Sequence, residues 1–134
     1  MRLPAVAVAA WALSSCVTAP VAPDPSIDPV GDWTVLAVNG QPTGGGNGFW
    51  FRITPHSANA RFGCNSGGGP ARLSAGWREP GDNWVITAGG CRGRDRFERR
   101  GFAIAAEPMA VQRSRGTGLL LNNRVGSIAL ERAP

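Results

Sequence analysis

Turn signals recur along this chain at intervals too short for long helices. Asn39-Gly40, Pro55-His56, Glu79-Pro80-Gly81-Asp82 and Asn122-Asn123 cut it into short segments. Chains divided this finely build sheets joined by tight turns. Within the segments the periodicity is two. Phe49, Phe51 and Ile53 alternate with Trp50, Arg52 and Thr54, and Ile128 and Leu130 with Ala129 and Glu131, the pattern of strands with one buried face. Further strands are expected at Trp33–Val38, Ala58–Phe62, Met109–Arg113 and Gly118–Leu121, with a hairpin of Ala71–Arg78 and Asn83–Thr87 around the Pro80-Gly81 turn. The glycine clusters at 44–46 and 67–69 read as flexible turns. Only residues 94–107 change period, placing Phe97, Gly101 and Ile104 on one helical face and ending at Pro108. The expected class is α+β, a small antiparallel β-sheet curved into a partly open barrel with one α-helix inserted before the last strands.

The N-terminus is of another kind. Arg2 precedes an apolar run from Leu3 to Leu13, the layout of a secretory signal and too short for an ordinary spanning helix. Leu13-Ser14-Ser15-Cys16 resembles a bacterial lipobox, so residues 1–15 are expected to be a lipoprotein signal peptide and Cys16 the lipidated first residue. Multiple acyl chains at roughly 0.8 kcal/mol per buried methylene hold a protein firmly on a membrane. Residues 16–29 carry Pro20, Pro23, Pro25 and Pro29 and read as a semi-rigid linker, with the domain occupying 30–134.

In an exported domain, the remaining Cys64 and Cys91 are read first as a disulfide. A zinc site wants four nitrogen or sulfur ligands, and His56 is the chain's single histidine. A cysteine nucleophile would likewise have only His56 as its imidazole base. The glycines after Cys64 lack the Lys-Ser/Thr and helix of a phosphate-binding loop. Asn65 reads as a residue bonding its own backbone. No catalytic residue, cofactor or metal is expected.

All 14 basic residues are arginine, and the net charge is +5. Arg92, Arg94, Arg96, Arg99 and Arg100 cluster around the expected helix against Asp95 and Glu98. They read as a solvated face laced with ion pairs or as a contact for anionic head groups, glycan or an acidic protein. Trp50, on the polar phase of its strand, is a second contact candidate. Export removes the opportunity for nucleic-acid binding.

The order of landmarks resembles the META domain, the HslJ-like group of bacterial envelope lipoproteins. They are W-x-V-x-x-V-N-G-x-P (Trp33 to Pro42), F-x-F-x-I, G-C-N (Gly63, Cys64, Asn65), T-x-x-x-C (Thr87 to Cys91), a following helix and the terminal Leu119–Leu121 and Ile128–Leu130 strands. The resemblance implies a small mixed-sheet fold associated with the envelope, heat shock or motility, without an established catalytic mechanism. The expected function is a non-enzymatic, monomeric envelope lipoprotein, held by its anchor on the outer membrane facing the periplasm. It would contribute to envelope integrity or stress response through contacts with an envelope protein or surface component. The alternative is a carrier holding a small hydrophobic ligand among Phe49, Phe51, Trp84 and Ile86.

Overall fold

A computed structural model of the chain describes residues 22–91, 93 and 96–134. Cys16 and its signal-like segment, with Arg92, Arg94 and Asp95, lie outside the described residues.

Among the described residues there are ten strands: β1 (Gly31–Val38), β2 (Gln41–Pro42), β3 (Phe49–Ile53), β4 (Ser57–Phe62), β5 (Ser66–Ser74), β6 (Trp77–Pro80), β7 (Val85–Ile86), β8 (Met109–Arg113), β9 (Leu119–Asn122) and β10 (Ser127–Arg132). Helix α1 (Glu98–Ala105) lies between β7 and β8. The antiparallel path β1-β3-β4-β5-β6-β8-β9-β10 returns to its start because β10 pairs with β1, Trp33 opposite Arg132 and Val38 opposite Ile128. The barrel is therefore closed rather than partly open. Closure leaves no free edge in the ring, and the terminal I-x-L strand supplies it. A register shift between Val35 and Ala37 turns Leu36 outward while Trp33, Val35 and Val38 stay buried, as a bulge does.

The interior is filled by alternate residues of the ring, including Phe51, Ile53, Phe62, Met109, Leu121, Ile128 and Leu130. Phe51, Phe62 and Phe102 make successive edge-to-face contacts, with centroids 6.4 and 5.1 Å apart. Both barrel ends are plugged. At one, α1 packs Phe97, Phe102 and Ile104 inward, and Gly101 lies so close on the Phe62 ring that a Cβ there has no room. At the other, residues 24–29 cross the opening and bury Ile27. This strap is fixed by Asp24 N–H donating to Val111 O (3.1 Å), Gln112 Nε2 donating to Ala22 O (2.8 Å) and Trp33 Nε1 donating to Pro29 O (2.8 Å). The packed region thus reaches at least eight residues before Val30, the boundary expected from the prolines. Within the strap a turn at Pro25-Ser26, closed by Ile27 N–H donating to Asp24 O (3.3 Å), sends Ile27 inward.

Two local expectations are corrected. Residues 67–69 do not turn the chain but run through β5, paired with Ala60, Asn59 and Ala58 of β4. A Cβ on Gly67 would meet Phe102 Cε1 at 2.6 Å and Ile86 Cγ1 at 2.9 Å, so glycine here admits a close neighbour rather than a bend. The hairpin following it turns at Ala75-Gly76, whose φ values of 48° and 82° are both positive, as a type I′ turn requires. Pro80 consequently ends β6, and β7 doubles back beside Gly67 and Gly68. The helix is also shorter than the expected 94–107.

Candidate functional site

The two motif cysteines form one structural staple. Cys64 and Cys91 are disulfide-bonded, with Cα atoms 5.8 Å apart. Asn65 does not bond its own backbone. Its Oδ1 accepts from Gly89 N–H (2.7 Å) and Thr87 Oγ1 (3.2 Å), while its Nδ2 donates to Gly89 O (3.2 Å). Thr87 N–H donates to Ser66 O (2.9 Å), extending the β5–β7 ladder. The G-C-N and T-x-x-x-C elements are thereby one clamp on the segment that leads into α1. The polar atoms named in it are paired with backbone or side-chain partners, so the cluster holds this segment in place. His56 sits exposed in the β3–β4 turn and is not part of it. Among the described residues, no three of His, Cys, Asp and Glu converge as a metal site, and no helix is long and apolar enough to cross a membrane.

The segment that follows the staple lines a concavity on the surface. A groove of about 860 Å³ runs between β7 and α1, lined by Ile86, Arg96, Glu98, Arg99, Arg100, Phe102 and Ala103. Its floor is apolar and its rim basic. Arg96 lies over the Phe97 ring, 5.1 Å from the centroid, and Arg100 Nη1 donates to Gln41 Oε1 at 2.9 Å. Among the described residues the ion pairs are Arg52–Asp32, Arg72–Glu79 and Arg124–Glu107, none of them in this groove. Val85 and Ile86 beside it are 69% and 47% exposed, and β7 pairs with β5 along one edge only.

Trp50 belongs elsewhere. It is half-buried on the outer face of β3, in a hollow with Asp32, Thr34, Arg52, Ala133 and Pro134, which shares no lining residue with the α1 groove. Of the predicted contact residues, the structure brings together Arg96, Arg99 and Arg100 and leaves Trp50 apart.

Sequence reasoning missed Arg78. It is fully buried inside the barrel on β6, its guanidinium 5.7 Å from the Phe51 centroid and 5.1 Å from that of Trp84. Nη2 donates to Ala105 O at the C-terminal end of α1, where the helix dipole favours a cation. Nε and Nη1 have no partner, and burial pushes the guanidinium down to about 10. The signal available was phase: Arg78 stands opposite Leu73 and Met109, but only the true β5–β6 turn reveals that pairing.

The residues proposed to line a carrier site divide in the fold. Phe51 is wholly buried against Phe62, whereas Ile86 faces the outer groove.

The chain matches no protein-family model and no curated protein. Its architecture is similar to that of a protein from Burkholderia xenovorans solved by NMR, with a TM-score of 0.62 at 16% identity, covering 93% of this chain and 99% of the other. At that identity the likeness is one of fold.

Proposed function

We propose that this chain is an envelope lipoprotein of the META-domain kind, anchored through Cys16, whose barrel is an interaction module rather than a catalyst. The supporting observation is the contrast between inside and outside. The barrel interior is packed with side chains and plugged at both ends, while three arginines and an open two-residue strand surround a groove at the α1 end. A filled core leaves function to the surface, and exposed apolar residues rimmed by charge mark contact sites. Mass spectrometry of the chain extracted from its own membranes under non-reducing, native conditions tests the reading. It expects acyl mass on Cys16 and no co-purifying small molecule. A chain beginning elsewhere without acyl mass overturns the anchor. A stoichiometric ligand in the barrel favours the carrier of a small hydrophobic molecule instead.

A further inference from the structure

The α1 groove and the strap occupy opposite ends of the barrel, and this polarity bears on what the groove meets. The strap leaves the described residues at Ala22, whose carbonyl is held by Gln112. Gln112 lies on β8 beyond Met109 and Ala110, which begin that strand just after α1. Strands β8, β9 and β10 run between the two ends, with Asn123 Nδ2 donating to Ile104 O at the helix end (2.8 Å) and Arg132 Nη1 donating to Val30 O at the strap end (3.0 Å). Five residues lie between Cys16 and Ala22, a reach of about 20 Å at full extension. A chain tethered there turns its strap end to its own membrane and its arginine groove away from it. Head groups of the anchoring bilayer are thus poorly placed to be the groove's ligand.

The lining restricts the remaining partners. Arg96, Arg99 and Arg100 against Glu98 give the rim a positive balance, which calls for carboxylates or phosphates. Ile86, Phe102 and Ala103 beneath them call for apolar side chains, which a phosphate-rich glycan does not supply. Beside them, among the described residues, β7 has one edge without a neighbouring strand, with Val85 and Ile86 exposed. An extended chain can add to such an edge through backbone hydrogen bonds, placing alternate side chains on the floor.

We propose that the β7–α1 groove docks an extended acidic peptide segment of another envelope protein, added alongside β7 with apolar side chains over Ile86 and Phe102 and carboxylates on Arg96, Arg99 and Arg100. The inference rests on the interaction-module reading and names its partner. Recognition requires both the sign of the rim and the apolar floor, and the affinity falls with ionic strength.

The test uses the full chain in detergent micelles with three nine-residue peptides in which Val or Ile alternates with Glu, with Gln or with Lys. Anisotropy titration expects binding of the Glu peptide alone. R96Q/R99Q, at exposed positions that leave the core intact, should weaken it at least tenfold, and Ile86→Asp should do likewise. Amide shifts on binding should centre on Val85 and Ile86. Equal binding of the Gln peptide, or binding of the Glu peptide unchanged by both variants, overturns the proposal. So does failure of every peptide, or binding only to phosphatidylglycerol vesicles, which marks a lipid surface instead. If site-directed crosslinkers on the Trp50 face capture a defined envelope protein while the groove variants remain silent, the docking inference fails and the interaction-module reading survives.

Discussion

Replacing Arg78 by methionine tests how a carboxylate-free charge is held inside the barrel. Burial lowers its pKa from the ordinary arginine range to about 10, and at about 1.4 kcal/mol per unit the cost of keeping it charged near neutrality is on the order of 3 kcal/mol. Three contacts oppose that cost. A charge-assisted hydrogen bond, here to Ala105 O, contributes about 1.5–3 kcal/mol. The rings of Phe51 and Trp84 add about 1 kcal/mol each at a desolvated site. The terms nearly cancel, so Arg78→Met, which keeps the volume and removes the charge, should unfold in urea within about 1 kcal/mol of the native chain. Arg78→Ala should lose about 2–5 kcal/mol because it leaves a cavity. The pH dependence has a fixed sign. The folded pKa lies below the unfolded one, so the penalty is fully present below about pH 10 and fades as pH rises above it. The native chain should therefore gain on Arg78→Met only as the pH is raised beyond about 10. A loss above about 3 kcal/mol in Arg78→Met at pH 7 would refute the reasoning, since Nε and Nη1 would then have to hold a favourable partner.

Cys64→Ser and Cys91→Ser should each cost about 3.5 kcal/mol, the closure entropy of a loop of 27 residues, and the double variant should be no worse than either; additive losses in urea melts would rule out a shared bond. Gly101→Ala should destabilise, although alanine favours a helix by about 1 kcal/mol, because the added methyl strikes the Phe62 ring; a raised melting temperature would show that α1 can shift freely on the barrel. A chain cut to begin at Val30 should melt well below one beginning at Ala22, and Ile27→Ala in the longer form should recover much of that difference, about 2–4 kcal/mol for a buried Ile. Equal melting of the two truncated forms would mean that the strap rests on the barrel without stabilising it.

Period and turn chemistry made most strands legible. Phe51 and Ile53 are buried where their alternation puts them, and Asn39-Gly40 forms the turn it promises, with φ values of 51° and 75°. The failures have a common cause: a residue's meaning was set by a distant neighbour. Gly67 and Gly68 look like a loop until Phe102 and Asn59 are seen to occupy the space beside them. Ala75 is costly at positive φ and so gives no sequence signal for a type I′ turn, which let Pro80-Gly81 be taken for the hairpin. Asn65 bonds Gly89, across the whole hairpin excursion, and not its own turn. At the candidate site, sequence clustering found the helix arginines because they are local. It missed their pairing with Ile86, because β7 reaches α1 only after doubling back on β5.

The strap alters what the prolines before the barrel accomplish. Were the spacer free to Pro29, its reach from Cys16 at roughly 3.1 Å per residue would be about 40 Å, enough for the barrel to tumble and present any face to a membrane. With Asp24 bonded to Val111 and Ala22 to Gln112, the reach available to the proposed anchor at Cys16 is at most about 19 Å on the same scale. That is comparable to the length of a short strand, so under the proposed anchoring the α1 end would approach the bilayer only by laying the barrel on its side. A turn at Pro25-Ser26, closed by Ile27 N–H donating to Asp24 O (3.3 Å), directs Ile27 into the core at this point. Orientation would then be a consequence of where the chain stops being a tether. Moving that point by Ile27→Asp, which expels the strap, should let a fluorophore on α1 approach a quencher in the bilayer of reconstituted full-length protein. Unchanged quenching would mean that the strap does not govern which end of the barrel faces the membrane.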